Sequence, residues 1–193
     1  MKIGVFVGSF NPVHIGHIKI ANYVANKYVD KVIIVPTGNY WNKQNLIDIN
    51  YRINMLKLYQ DEKIIIDEEN NNVQYTYKVL ENINKKYVGA ELYLIIGADN
   101  IVNFNKWKRY KQLLKYNMII VNRDNVNIKY YLNKLNKKDK YIITQNLPEI
   151  NISSTDIREN LNINTENIIS KIDYNVLKYI KNNNLYIRKN IPV

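Results

Sequence analysis

The sequence predicts an α/β fold: a doubly wound parallel sheet in one domain that spans residues 1–193. Short apolar runs alternate with segments whose apolar residues recur at helical spacing, which is typical of right-handed β-α-β crossovers. The first run, KIGVFVGS (2–9), is apolar throughout, as expected for a strand buried on both faces. With 46% hydrophobic residues the chain can bury a sizeable core.

Six strands and the helices between them follow in order. The predicted strands are KIGVFVGS (2–9), KVIIVPTG (31–38), KIIIDEE (63–69), ELYLIIGAD (91–99), NMIIVNR (117–123) and YIITQ (141–145). The predicted helices lie at 17–29, 50–60, 75–87 and 127–136, and two more, at 155–161 and 173–183, form a C-terminal helical part over about 150–193. Ligands of such sheets bind beyond the carboxyl ends of the strands, so the loops after residues 8, 36, 97 and 123 should be functional.

Composition narrows the class of protein. Cysteine is absent, no run of 18 apolar residues exists, and the first residues are too short an apolar segment for a signal peptide, so we expect a cytoplasmic protein without a membrane partner. The net charge of +11 reflects either compositional drift or a positive field that attracts nucleotides. The lysines are spread along the chain, so nucleic acid is not an expected partner, whereas a homo-oligomer stays open.

The segment GSFNPVHIGH (8–17) follows the first strand, opens the first helix and contains both histidines of the chain. Residues three apart on a first helical turn share one face, and the amides there favour phosphate oxygens. Gly8 should permit an unusual backbone torsion and the close approach of a ligand, and the amides of Ser9 and Phe10 can face the same cavity. Asn11 and Pro12 should fix the turn, and Gly16 should leave space between the imidazoles. The pattern predicts a phosphate site.

Two other interpretations of His14 and His17 compete with the phosphate site. Zinc requires three or four ligands, and the chain has no cysteine and no third histidine. Structural histidines are the second alternative. The spacing matches neither the dinucleotide fingerprint nor the P-loop.

The segment ISSTDIREN (152–160) is a second candidate for phosphate contacts. Ser153 and Asp156 can form a capping box, and a capped helix alone would explain the hydroxyl groups. Arg158, one turn further, can instead turn toward the same end of the helix and bind phosphates with two nitrogens.

GSFNPVHIGH and ISSTDIREN together resemble the HxGH and SSTxxR motifs of the HxGH nucleotidyltransferase superfamily, whose fold is Rossmann-like. Further stretches resemble bacterial nicotinate-nucleotide adenylyltransferases. They are NYWNK with Lys43, YRINM with Arg52 and Met55, YTY (75–77), IIGADN (95–100), NKWKRY with Trp107, and VLKYIKNNNLY (176–186). One position departs from the family pattern, because Asn42 stands where the family usually has a histidine.

The resemblance implies that the 5′-phosphate of nicotinate mononucleotide attacks the α-phosphorus of ATP, giving nicotinate adenine dinucleotide and pyrophosphate in NAD biosynthesis. It implies that His14 and His17 stabilise charge at the α-phosphoryl and that Arg158 holds the outer phosphates. Mg²⁺ is expected on the ATP phosphates and water, with no protein ligands. The residues expected to bind ATP are Gly8, Ser9, Phe10, Gly16, Ile152, Ser153, Ser154 and Thr155.

The resemblance also implies an acceptor pocket. Trp107 would stack on the pyridine ring, backbone groups near Thr76 and Lys108 would bind its carboxylate, and Asp99 would accept hydrogen bonds from a ribose. Without the resemblance, the alternative interpretation of Trp107 is a core residue. The alternative for Asp99 is a helix cap, and that for Arg123 is a surface residue. The residues expected to bind the acceptor are Asn11, Lys43, Tyr75, Thr76, Gly97, Asp99, Trp107, Lys108 and Arg123.

Two other functions remain in competition. The first is another transferase of the superfamily, such as phosphopantetheine adenylyltransferase or a cytidylyltransferase. The second is a binder of nucleotides or RNA without enzymatic activity, which only the net charge of +11 suggests.

Overall fold

The computed structural model describes residues 1–38, 45–122, 126–145, 152–161 and 166–186. In these residues six parallel strands form one sheet in the order β3-β2-β1-β4-β5-β6. The strands are β1 (Lys2–Gly8), β2 (Lys31–Pro36), β3 (Ile64–Ile66), β4 (Glu91–Gly97), β5 (Asn117–Val121) and β6 (Tyr141–Ile143). The predicted α/β doubly wound parallel sheet is confirmed.

Helices connect the strands and follow the last of them. They are α1 (Ile15–Lys27), α2 (Ile49–Lys57), α3 (Thr76–Lys86), α4 (Ala98–Val102), α5 (Tyr110–Leu113), α6 (Ile128–Lys134), α7 (Ser154–Asn160), α8 (Glu166–Ile169) and α9 (Tyr174–Asn182), with a 3₁₀ turn at Phe104–Lys106. No helix in the described ranges is long and apolar enough to cross a bilayer.

The order of the strands creates a switch point between β1 and β4. From β1 the chain proceeds outward to β2 and β3, and then returns to pair β4 with the other side of β1. Phe6 of β1 is in register with Ile34 and Ile95, and Gly8 with Pro36. The loops after β1 and β4 therefore diverge to opposite faces of the sheet and leave a crevice between them, which is the usual ligand site of this architecture.

Successive residues of the strands pack into two hydrophobic clusters, one on each face of the sheet. Ile3 and Val5 belong to a cluster on the face covered by α3, α4 and α6, whereas Val32 and Ile34 belong to a cluster on the face covered by α1, α2 and α9. Because both faces are covered, the strands consist of continuous apolar runs without polar alternation.

Several elements differ from the sequence prediction. The fourth strand stops at Gly97, and Asp99 lies in the first turn of α4. The third strand stops at Ile66, because Asp67 accepts hydrogen bonds from the backbone N and the Nδ2 of Asn70 (2.7 and 2.8 Å) and turns the chain. The short helices α4, α5 and α8 and the 3₁₀ turn were not predicted, since one or two turns carry too little periodicity to be recognised. The extension of one domain over residues 1–193 stays a prediction.

Candidate active site

Two adjoining cavities open in the crevice at the carboxyl ends of β1 and β4. The large lobe has a volume of about 480 Å³ and the small lobe about 160 Å³, and both are lined by Val7, Gly8, Asn100 and Trp107. The large lobe extends toward α3 and the small lobe toward α1. A ligand with two halves can therefore occupy both lobes and place its junction beside Gly8.

The two histidines lie at the N-terminus of α1. His14 is the N-cap residue and His17 lies three residues further, and the two rings stack with centroids 3.6 Å apart. The backbone N–H of His14 donates to Nδ1 of His17 (3.2 Å). With Nδ1 as acceptor, a neutral His17 carries its hydrogen on Nε2, which can donate to a ligand. His17 lines the small lobe, whereas His14 is 4% exposed and lies behind it.

Gly8 lies tightly against a neighbouring ring, and its backbone does not have the unusual torsion that we expected. Among the described glycines only Gly89 has a positive φ, while Phe10 adopts a φ of 46°. A Cβ on Gly8 would lie 3.0 Å from the ring of Phe10. That ring also contacts His17 edge to face, with centroids 5.0 Å apart. The absence of a side chain at Gly8 therefore leaves room for the Phe10 ring, which packs against the imidazole of His17.

The buried side chain of Arg52 holds the loop that follows β1. Arg52 is 1% exposed; its Nη1 donates to the carbonyl of Ser9 (2.7 Å) and its Nε to the carbonyl of Ile47 (3.1 Å). Burial lowers the pKa of Arg52, and the nearby Tyr186 and Asp48 oppose this shift. Because the C=O and N–H of one peptide point in opposite directions, a Ser9 carbonyl held by Arg52 directs the amide of Phe10 to the other side of the loop.

The segment ISSTDIREN packs directly on the histidine segment. Arg158 donates from Nη1 to the carbonyl of Asn11 (2.7 Å) and from Nη2 to the hydroxyl of Thr155 (3.1 Å). The hydroxyl of Ser154 donates to the carbonyl of Pro12 (2.9 Å). Ser153 is the N-cap of α7 and accepts from the backbone N of Asp156 (3.0 Å), as the capping interpretation predicted. The structure therefore brings the two segments together.

Asn11 forms the centre of this loop. The residue is 5% exposed, and its Oδ1 accepts from the hydroxyl of Tyr186 (2.9 Å) and the backbone N of Ile47 (3.3 Å). Its Nδ2 donates to the carbonyl of Asn45 (2.8 Å). Burial raises the pKa of Tyr186, and the charges of Arg158 and Arg52 oppose the rise. Asn11 thus joins the loop to the residues that follow α9.

The large lobe carries positive charge. Its charged lining residues are Lys106 and Lys108, which are both exposed. Thr76 begins α3, and the first amides of a helix lack intrahelical acceptors and favour anions. Trp107 is partly buried and its ring lies 5.1 Å from that of Phe104, between centroids. The lobe suits an anionic ligand that contains a flat ring.

The remaining predicted residues have varied positions. Gly97 lines the small lobe, and Tyr75 lines the large lobe beside Thr76. Asp99 is exposed and its Oδ2 accepts from Nδ2 of Asn100 (3.1 Å). Gly16 is buried in α1, and Ile152 packs against the adjacent core. Lys43 and Arg123 lie outside the described residues, as does Asn42.

Sequence reasoning overlooked four residues of the site. Arg52 and Tyr186 appeared only as parts of family-like stretches, and Lys106 and Asn100 as neighbours of other candidates. An arginine is ordinarily exposed, so no local pattern indicates its burial. Asn100 follows Asp99 in IIGADN, and its position at the end of β4 is the one signal that could have identified it.

The side chains present at the site determine how a metal ion could be held there. Within the described parts of the chain, no group of three His, Cys, Asp or Glu side chains is arranged to hold a metal ion. The chemistry of these residues fits a magnesium ion that arrives on the phosphates of a nucleotide and keeps its water ligands.

Comparison with known proteins identifies the family. A family model described as cytidylyltransferase-like matches residues 5–160. A probable nicotinate-nucleotide adenylyltransferase from Borreliella burgdorferi is 35% identical over 98% of this chain and 98% of its own length, and one from Acholeplasma laidlawii is 35% identical over 94% and 96%. The solved structure of Plasmodium falciparum nicotinic acid mononucleotide adenylyltransferase complexed with NaAD shares the fold, with a TM-score of 0.81 and 23% identity over 96% of this chain and 97% of that one. The chain belongs to the nicotinate-nucleotide adenylyltransferase family of cytidylyltransferase-like enzymes.

Proposed function

We propose that this enzyme transfers the adenylyl group of ATP to nicotinate mononucleotide. An oxygen of the 5′-phosphate of the mononucleotide forms a bond to the α-phosphorus of ATP. The bond from that phosphorus to the bridging oxygen of the β-phosphate breaks, so nicotinate adenine dinucleotide and pyrophosphate leave. The observation that carries this proposal is the meeting of the two lobes at Gly8, with His17 on one side and Trp107 between them.

The small lobe supports the charge on the reacting phosphates. Nε2 of His17 can donate to an α-phosphoryl oxygen, and the N-terminus of α1 adds its dipole. Arg158 uses one N–H each for Asn11 and Thr155, and a guanidinium has five, so further donors are present for the β- and γ-phosphates. His14, behind His17, orients it through the backbone bond. No covalent intermediate with the enzyme is required, because positioning and charge stabilisation suffice for this class of transfer.

The large lobe supports the acceptor. Stacking on Trp107 would hold the pyridine ring, and the amides at Thr76 together with the backbone of Lys108 would bind its carboxylate. Lys106 and Lys108 are the charged residues of the lining, so the lobe favours the acid over the neutral amide. Asn100 lines both lobes and follows Asp99 in α4, so we assign a ribose between the two halves of the ligand to these two side chains.

Magnesium is proposed to accompany ATP. When bound, the ion would neutralise phosphate charge and hold the leaving pyrophosphate.

The test is pyrophosphate release from ATP and magnesium, with nicotinate mononucleotide, nicotinamide mononucleotide and phosphopantetheine offered in separate reactions. We expect release with nicotinate mononucleotide, a lower kcat/KM with the amide and none with phosphopantetheine. Release with phosphopantetheine alone would contradict the acceptor while leaving adenylyl transfer in place. No release with any phosphorylated acceptor would contradict the enzymatic function.

A further inference from the structure

Arg109 lies next in the chain to residues that line the large lobe. It follows Lys106, Trp107 and Lys108, which line the lobe, and it precedes α5. Its backbone is left-handed, with φ 55° and ψ 37°, a conformation that favours glycine over residues with a side chain. The carbonyl of Arg109, the N-cap residue of α5, accepts the backbone N–H of Gln112 (2.8 Å).

The side chain of Arg109 reaches the opposite wall. Its guanidinium carbon lies 4.7 Å from the ring centroid of Tyr77. The ring of Tyr77 is stacked on that of Tyr75, with centroids 5.9 Å apart and planes 20° from parallel. Tyr75 and Thr76 line the lobe from the side of α3. A row of three side chains therefore connects the loop of Trp107 to the N-terminus of α3.

A second contact lies one turn further along both helices. Nε2 of Gln112 donates to Oε1 of Glu81 (2.6 Å), and Nζ of Lys78 lies 3.2 Å from the other carboxylate oxygen. These two hydrogen bonds, with a smaller contribution from the charge of Arg109, lower the pKa of Glu81. The contact aligns α5 with α3, so the guanidinium of Arg109 is directed at the ring of Tyr77.

We infer that Arg109 is a positioning residue for the acceptor: by stacking on Tyr77 it fixes the distance between the Trp107 loop and the N-terminus of α3. This inference rests on the proposed function, because it takes nicotinate mononucleotide as the acceptor that the large lobe binds. Arg109 is not among the described residues that line the lobe. It holds together two walls that each supply a contact to the pyridine ring or its carboxylate, so its loss should weaken binding of the acceptor and leave ATP unaffected.

The first test is steady-state kinetics of Arg109→Ala with each substrate varied in turn. An exposed cation–π contact corresponds to about a two- to fivefold change in affinity. We expect KM for nicotinate mononucleotide to rise by about that factor, with kcat and KM for ATP unchanged within about twofold. Lys111→Ala is the matched control, because it removes an exposed cation from the same helix without a contact to Tyr77, and it should behave as wild type.

The second test asks whether Arg109 acts through Tyr77. If it does, Arg109→Ala in a Tyr77→Leu background should raise the acceptor KM no further than Tyr77→Leu alone. Additive effects, or an equal rise in both Michaelis constants, would overturn the positioning role. Arg109→Lys keeps the charge but not the planar stack, and should fall between wild type and the alanine variant.

A third measurement separates this inference from the proposed function. Amide hydrogen exchange of residues 103–108, without substrates, should be faster in Arg109→Ala than in wild type or Lys111→Ala. Unchanged exchange would overturn the inference whatever the acceptor is. Wild-type enzyme that does not use nicotinate mononucleotide, with exchange still faster in Arg109→Ala, would overturn the function and keep the contact between the walls.

Discussion

The two lobes of the active site are held in different ways. The small lobe is supported by contacts between distant parts of the chain, since the loop 8–14 bonds to Arg52, Ser154, Arg158 and Tyr186. Arg52 is buried beneath this loop. Asn11 forms hydrogen bonds with four residues, which are Asn45, Ile47, Arg158 and Tyr186. The large lobe is bounded by exposed lysines, a partly buried tryptophan and the stack of Arg109 on Tyr77.

This difference separates the reaction from the choice of acceptor. Charge stabilisation at a transition state needs donors that do not reorganise, and buried, fully bonded loops provide them. Binding of an acceptor needs fewer fixed groups, and the wall of the large lobe that carries Trp107 lies between a 3₁₀ turn and the short helix α5. Changes to the small lobe should therefore reduce turnover and stability, while changes to the large lobe should alter the Michaelis constant of the acceptor.

His17→Ala should give the largest effect, because it removes the donor that we place at the α-phosphoryl. Turnover should fall by about 100-fold or more, the order seen when one transition-state donor is lost. Steady-state pyrophosphate release measures it. His17→Gln, which keeps an N–H donor, should retain more activity than the alanine variant. Turnover close to wild type in His17→Ala would remove the small lobe from the chemistry.

Arg52→Met should lower the free energy of unfolding by about 2–4 kcal/mol, because the partly buried carbonyls of Ser9 and Ile47 lose their charged donor. Urea denaturation followed by circular dichroism measures the change. Lys57→Met on the same helix is the control, since it removes only an exposed ion pair to Glu68 and should cost less than about 1 kcal/mol. Equal midpoints for Arg52→Met and wild type would show that the loop does not depend on the guanidinium.

Trp107→Ala should raise the acceptor KM more than it lowers turnover. Loss of one aromatic stack of this kind is worth roughly 1–3 kcal/mol. Kinetics with nicotinate mononucleotide and ATP varied separately will distinguish the two substrates. Trp107→Phe keeps an aromatic face and should recover part of the affinity. An effect confined to ATP would place Trp107 outside the acceptor lobe.

Tyr186→Phe should have the smallest effect. It removes the hydroxyl bonded to Oδ1 of Asn11, while the backbone N of Ile47 still donates to that oxygen. A loss of about 1 kcal/mol in unfolding free energy is expected for one such bond. The control is Tyr174→Phe. Tyr174 is 73% exposed, so this substitution should not change the free energy of unfolding. If the two variants are equally stable, the segment after α9 does not support the loop.

Local patterns predicted much of the fold. The six strands, the first helix and the junction at GSFNPVHIGH follow from apolar runs, helical spacing and glycine positions. The ends of elements were less accurate, as at Asp67 and Asp99, where a side chain turns the chain or a short helix begins. Such ends depend on single hydrogen bonds that apolar periodicity does not report.

The site was predictable as a set of segments but not as a set of contacts. The bond from Arg158 to Asn11 joins residues 147 apart in sequence, and that from Tyr186 to Asn11 joins residues 175 apart. No local pattern encodes such pairs. The resemblance to a family indicated which segments matter, and the structure shows that several of their polar side chains bind one another within the protein.

A crystal structure with nicotinate adenine dinucleotide bound tests the division between the lobes most directly. We predict that the pyridine ring stacks on Trp107 with its carboxylate at the N-terminus of α3, and that the α-phosphate lies within hydrogen-bond distance of Nε2 of His17. A product whose phosphates lie away from α1, or whose pyridine ring occupies the small lobe, would contradict the account.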